Sequence, residues 1–221
     1  MTRRKLLIAG SAMLTLAALL GVLVVLLPRG ATIGLDAFWN HLMSQVRQDW
    51  MLSAAYALNW IGGGWVAIAL VPLLIVLLLV LLGRWRGAVF AALSFVVSAG
   101  LTQLLKEIFA RARPDDMLVT SDFGSFPSGH TSNAATIAVV LWLVFPRVWM
   151  AIAGVLWVVA MALSRTLLAV HWITDTLGGA LVGASAALIV GAFVLSWASL
   201  GWLPTPEPAQ RSPRDADPPV S

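Results

Sequence analysis

Lys106 and Arg113-Pro114, then Pro127-Ser128-Gly129-His130, then Ser164-Arg165 followed by His171 and Asp175, are the residues of this chain best suited to chemistry. Ionisable side chains beside stretches apolar enough to span a membrane are costly, so their concentration there marks a functional site. The chemistry they suit is that of phosphate. A phosphoryl group in transit spreads negative charge over three equatorial oxygens, which fixed cations and backbone N–H donors must meet. Lys106, Arg113 and Arg165 supply cations, the arginines with a planar bidentate fork that lysine lacks. Pro127-Ser128-Gly129-His130 precedes an apolar run, which predicts its amides at a helix N-terminus, where unpaired donors and the helix dipole favour an anion.

His171 and Asp175 are four residues apart, one helical turn, a spacing at which a carboxylate orients an imidazole and stabilises its positive charge. That suits a nucleophile. His130, in a separate cluster, suits a proton donor to a departing oxygen. Both roles at one pH require environments that push the two pKa values apart. Each residue also has a plainer reading: Lys106 and Arg113 as snorkelling anchors, Ser128-Gly129 as a turn before a helix, His130 as a surface residue. His171 and Asp175 can equally be a structural pair or two ligands of a metal. Three neighbouring cations, and the lack of a further carboxylate at a clear ligand spacing, weigh against the metal.

Positioning these residues falls to membrane helices. The chain of 221 residues is 60% hydrophobic and 11% charged, with a mean hydropathy of +0.90, too apolar for one water-soluble core. A spanning helix needs about 20 mostly apolar residues. Six segments fit, over 6–27, 64–83, 88–106, 130–145, 148–168 and 174–198, of which 130–145 is the shortest. The fold class expected is therefore all-α: a polytopic protein with six transmembrane helices and its active site at one membrane interface. The first segment follows Thr2-Arg3-Arg4-Lys5 and reaches Leu27 with no small-residue cleavage site, so it reads as a retained signal anchor.

Between the first two segments, residues 29–63 mix Asp36, His41, Arg47 and Asp49 with Trp39, Trp50 and Trp60, which suits an interfacial amphipathic helix or lid, or a plain loop with interfacial tryptophans. Pro72 lies inside the second segment, where a kink is tolerated because neighbouring helices can satisfy the freed carbonyl. One membrane domain is expected over 1–200, with its chemical core at 106–175. Residues 203–221, carrying Pro204, Pro206, Pro208, Pro213, Pro218 and Pro219, read as a disordered cytoplasmic tail. Cysteine is absent, which rules out disulfides and thiolate metal sites.

The net charge of +4 comes from basic residues scattered through short turns, as in lipid-headgroup anchoring, and no nucleic-acid partner is expected. Arg3, Arg4, Lys5, Arg84, Arg86, Arg147, Arg211 and Arg214 fall on one side of a six-span plan, outnumbering Arg29, Arg47, Lys106, Arg111, Arg113 and Arg165 on the other. The first side is predicted to be cytoplasmic and to hold both termini of a multi-pass cell-membrane protein. All three polar clusters then emerge together on the external, periplasmic side.

The three clusters resemble the signature KxxxxxxRP, PSGH and SRxxxxxHxxxD of the type 2 phosphatidic acid phosphatase superfamily. Every signature position is filled, in order and at the family's internal spacing, from Lys106 to Asp175. The six-segment plan is similar to the membrane branch of that superfamily over roughly residues 1–200. The resemblance implies a metal-independent, cofactor-free phosphatase in which His171 attacks phosphorus, Asp175 supports it and His130 protonates the leaving group. It also implies that Lys106, Arg113, Arg165, Ser128 and Gly129 bind the phosphate. Choosing His171 over His130 as nucleophile rests on the resemblance. Soluble vanadate-dependent haloperoxidases share the pocket, but six apolar segments argue against that branch.

Catalytic groups at the ends of apolar helices suit a lipid whose phosphate lies at headgroup depth. Undecaprenyl diphosphate is the expectation, with phosphatidic acid, phosphatidylglycerophosphate and diacylglycerol diphosphate as alternatives, and phosphate transfer between lipids as an alternative reaction. A transporter of anions or lipids is the reading from another class. It requires mid-membrane charges and paired broken helices, whereas these charges gather at one interface.

Overall fold

The computed structural model describes residues 2–26, 33–63, 66–121 and 123–199. The proline-rich run at 203–221 lies outside the described residues. The chain forms α1 (Arg3–Leu26), α2 (Gly34–Val46), α3 (Asp49–Ile61), a π-helical turn (Val66–Leu70), α4 (Val71–Leu81), α5 (Trp85–Phe109), α6 (Gly129–Val144), α7 (Val148–Leu167) and α8 (Ile173–Ser199). Helices are what an apolar medium permits, since each satisfies its own backbone polar groups. Four of them, α1, α5, α7 and α8, are long and apolar enough to cross a membrane, while α4 and α6 are shorter apolar helices. Large apolar side chains such as Leu19, Leu73, Val96 and Val155 point outward from α1, α4, α5 and α7.

Local chemistry sets the ends. Phe145 precedes Pro146 and leaves the helical region, closing α6. Ala110, with φ of 42°, closes α5 in the left-handed region. At the start of the second expected segment, Pro72 accompanies a change from π to α geometry. A π turn delivers the N–H of residue i to the carbonyl of i−5, and Pro72 has none to give Ala67. Asn133 of α6 fills that place, its Nδ2 donating to Ala67 O at 3.1 Å. The stretch between the first two apolar segments folds, where it is described, chiefly as two helices, and these, α2 and α3, pack against the end of α7 through Met43, Ala55, Leu167, Leu168 and Val170.

Helix α8 is central, packed against α1, α5 and α6. Its Gly179 and Gly183 let α6 approach so closely that a Cβ at either would collide with backbone, at Ser128 O and Ser132 O respectively. Close backbone approach at small residues replaces the hydrophobic drive that lipid removes. On the other side of α6, Thr102 Oγ1 donates to Ser132 Oγ at 2.8 Å and Thr136 Oγ1 to Ser98 Oγ at 2.7 Å, locking α5 to α6. These contacts bring the C-termini of α5 and α7 and the N-termini of α6 and α8 to one end of the bundle. Gly183→Ala should therefore destabilise the protein by about 1–3 kcal/mol through overpacking, read as a lowered thermal midpoint in detergent. Gly100→Ala, where a Cβ meets nothing within 4 Å among the described residues, should not lower it.

Candidate active site

The turn from α7 to α8 presents His171. Ala169, buried in that turn, has φ of 51°, a left-handed conformation that costs a non-glycine residue roughly 1–2 kcal/mol. Val170 N donates to Arg165 O at 3.1 Å, folding the chain back on α7, and α8 begins two residues after His171. Asp175 thus stands in the first turn of α8, and its Oδ2 lies 3.5 Å from His171 Nδ1, an ion-pair distance longer than a formed hydrogen bond. Oδ2 also accepts from Trp172 N at 2.8 Å. On the other edge of the imidazole, Arg113 Nη1 lies 3.3 Å from Nε2. Guanidinium is only a donor, which assigns the lone pair to Nε2 and the ring proton to Nδ1, towards the carboxylate. Burial pushes the His171 imidazole down from 6.5 to about 4, with Arg113 and Lys106 adding to that effect and Asp175 opposing it. At neutral pH the ring is uncharged and its Nε2 pair is available.

The cations come from three segments. Lys106, in the last turn of α5 and only 4% exposed, donates from Nζ to Gly124 O at 3.1 Å. Arg113 donates from Nη2 to the same carbonyl at 3.0 Å and from Nη1 to Val170 O at 2.6 Å. Gly124 has φ of 72°, and a Cβ there would press on Lys106 O at 3.2 Å, so glycine permits the turn that aims one carbonyl at two cations. Arg165, 1% exposed, donates from Nη1 to Asn59 Oδ1 at 2.6 Å and from Nε to Ser164 Oγ at 3.1 Å. Among the described residues, its Nη2 has no hydrogen-bond partner. Lys106, Arg165, His171, Gly129 and His130 line one cavity of about 720 Å³. From there the cavity continues past apolar side chains, among them Val66, Pro72 and Phe95.

The second cluster opens α6, with Ser128 at its N-cap. Ser128 is fully buried. Its amide donates to Asp175 O at 2.9 Å and its hydroxyl accepts from Thr131 at 3.2 Å, so in this conformation it ties the loop to α8 rather than facing the cavity. Gly129, one residue on, lies in the first helical turn, where amides have no intrahelical acceptor. The turn after α3 packs on the ring of His130: a Cβ at Gly63 would come within 2.9 Å of His130 Nε2. Among the described residues, no group of three or more histidines and carboxylates is arranged to hold a metal ion.

Asp36, Asn59 and Arg111 were not singled out for chemistry by the sequence, although all three belong to the site. Arg111 donates from Nη1 to Asp175 Oδ1 at 2.5 Å and from Nη2 to Asp36 Oδ2 at 2.6 Å. Its sequence signal was its place between Lys106 and Arg113. Asp36 and Asn59 gave only the weaker signal of polar residues within the mixed stretch over 29–63.

The PAP2 superfamily model matches residues 87–199, and the chain belongs to that superfamily, whose membrane branch comprises lipid phosphatases. Among its relatives, phosphatidylglycerophosphatase B of Bacillus subtilis is 32% identical over 162 residues, 67% of this chain and 77% of the relative. Undecaprenyl-diphosphatase of Sulfolobus acidocaldarius is 32% identical over 115 residues, 48% of this chain and 55% of the relative, so little more than half of that protein is spanned. In fold, the chain is similar to the crystal structure of a transmembrane PAP2-type phosphatidylglycerolphosphate phosphatase from Bacillus subtilis, with a TM-score of 0.70, 23% identity, and 85% of this chain and 96% of that one covered.

The His171 environment fixes a pH dependence. Below about 4 the imidazole is protonated and Nε2 has no pair to donate, so kcat/KM should fall as pH drops through that value, well below the 6.5 of an ordinary histidine. Arg113→Gln removes a charge that depresses the imidazole, and should move that acid limb to higher pH in a pH–rate profile of residual activity.

Proposed function

We propose that the protein is a metal-independent lipid phosphatase that acts through a phosphohistidine, with a lipid diphosphate such as undecaprenyl diphosphate as its substrate. The observation that carries this reading is His171 Nε2, unprotonated, beside Arg113 and on a cavity shared with Lys106 and Arg165. The phosphate sits among these three cations and the Gly129 amide, with Ser128 holding the loop that presents that amide. Nε2 attacks phosphorus as the bond to the leaving oxygen breaks. The electron pair of that bond goes to the leaving oxygen, which takes a proton from His130. Asp175 faces the Nδ1–H of the now cationic imidazole and stabilises it. Water then attacks phosphorus, His130 accepts its proton, and the P–N bond breaks with its pair returning to Nε2. The product is inorganic phosphate.

The lipid reading rests on the cavity's apolar continuation and on the outward-facing apolar side chains of the bundle. Six spans are proposed, with α4 and its π-helical turn, and α6, crossing as the shorter pair. The site end faces the periplasm and both termini face the cytoplasm, following the basic residues at the opposite end, where Arg84 Nη1 donates to Val144 O at 2.8 Å and its guanidinium stacks on Phe145.

Purified protein in detergent should release inorganic phosphate from undecaprenyl diphosphate in the presence of EDTA, faster than from phosphatidic acid or a water-soluble phosphate ester, and His171→Ala should abolish that release. Loss of release on adding EDTA would contradict the metal-independent route. Preference for the soluble ester would contradict the lipid assignment.

A further inference from the structure

Helix α2 lies outside the family-matched region, yet its Asp36 is fully buried against the nucleophile's support. Asp36 Oδ1 accepts from Thr174 N at 3.0 Å, and Oδ2 accepts from Thr174 Oγ1 at 2.8 Å. A carboxylate from 138 residues away thus caps the N-terminus of α8, where the helix dipole favours negative charge. Arg111 completes the frame. It bridges Asp36 and Asp175 with separate nitrogens, and Nη1 also donates to Thr174 Oγ1 at 2.7 Å. The side chains of this pair are 6% and 0% exposed, so the ion pair is barely screened by solvent. Its guanidinium further lies 5.5 Å over the Trp172 ring, and Trp172 Nε1 donates to Ala112 O at 3.0 Å, bracing the residue that follows His171.

We propose that Asp36 and Arg111 are a positioning pair for the His171–Asp175 couple. Arg111 occupies Asp175 Oδ1, so Oδ2 is the oxygen turned to His171 Nδ1. Asp36 balances the charge of Arg111 and fixes the first turn of α8 from which Asp175 projects. Neither residue lines the substrate cavity. The pair acts on the chemical step through Asp175, and the proposal rests on the reading of His171 as nucleophile.

The charges around His171 give this role a signature that packing alone does not. Lys106 of α5, Arg111 and Arg113 of the following segment and Arg165 of α7 stand on the cationic side, with His130 of α6 on the same cavity, Asp175 of α8 opposing the cations and Asp36 of α2 behind Arg111. Removing the charge of Arg111 leaves the negative charge of Asp175 uncompensated beside the imidazole, which favours the protonated ring. Removing the charge of Asp36 leaves Arg111 uncompensated, which disfavours it.

The experiment is steady-state kinetics on undecaprenyl diphosphate across pH for full-length Arg111→Gln, Arg111→Lys and the isosteric Asp36→Asn, with His171→Ala as control. Arg111→Gln should lower kcat about 10–100-fold with KM little changed and move the acid limb to higher pH. Asp36→Asn should lower kcat and move the limb to lower pH. Arg111→Lys, which keeps the charge, should return the limb towards its wild-type position. Limbs that stay in place in both charge-removing variants, or move the same way in both, overturn the pair, as does a loss confined to KM. If Arg111→Gln does not fold, the limb of Asp36→Asn decides alone: a downward shift supports the pair and an unmoved or raised limb overturns it. Activity retained in His171→Ala would instead remove the nucleophile on which the pair rests, a failure separate from one in which that control is inactive and the limbs do not move.

Discussion

One buried carboxylate holds the three polar clusters together. Asp175 accepts from Arg111 on Oδ1 and from Trp172 N on Oδ2, faces His171 with the same Oδ2, and takes the amide of Ser128 on its backbone oxygen. The segment after α5, the loop before α6 and the turn before α8 therefore meet at one residue with no exposed surface. A charge in such a place is tolerated only when paired and hydrogen-bonded, and breaking a buried pair by removing one partner costs about 3–5 kcal/mol. The arrangement around Asp175 is thus strongly preferred over nearby alternatives, and with it the direction in which His171 points.

The cations follow a different rule. Lys106 and Arg113 share the carbonyl of Gly124, and Arg165 donates to the amide oxygen of Asn59 and the hydroxyl of Ser164. Neutral acceptors orient a cation without cancelling its charge, so the field at the cavity stays positive. In the proposed mechanism that field serves two ends: it attracts the substrate's phosphate, and it helps burial keep the imidazole uncharged until the phosphate arrives. The acid–base state of His171 and the anion affinity of the site have one electrostatic origin.

Much of this was legible in the sequence because the chemistry is concentrated in short stretches whose residue types are out of place among apolar neighbours. The helices around the signature fall close to their expected bounds, with α6 at Gly129–Val144 against 130–145 and α7 at Val148–Leu167 against 148–168. The residues expected at the site meet at one end of the bundle, with Ser128 behind the cavity rather than on it. The less legible parts are those set by tertiary contact. Nothing in the spacing of Asp36 or Asn59 tells that α2 and α3 fold over the end of α7 to reach Thr174 and Arg165. Arg111 resembled one more basic residue in a run until Asp36 and Asp175 were placed on either side of it. The π turn before Pro72 is likewise invisible without Asn133, which lies on another helix.

The central claim is that His171, aimed by Asp175, becomes covalently phosphorylated. Acid-labile, base-stable phosphate trapped by rapid quench during turnover of a lipid diphosphate, then mapped by mass spectrometry of the cleaved protein, tests it most directly. Phosphate on the peptide carrying His171, and absent from His171→Ala, is the predicted result. Phosphate on His130, or turnover with no phosphoenzyme on any histidine, would contradict it.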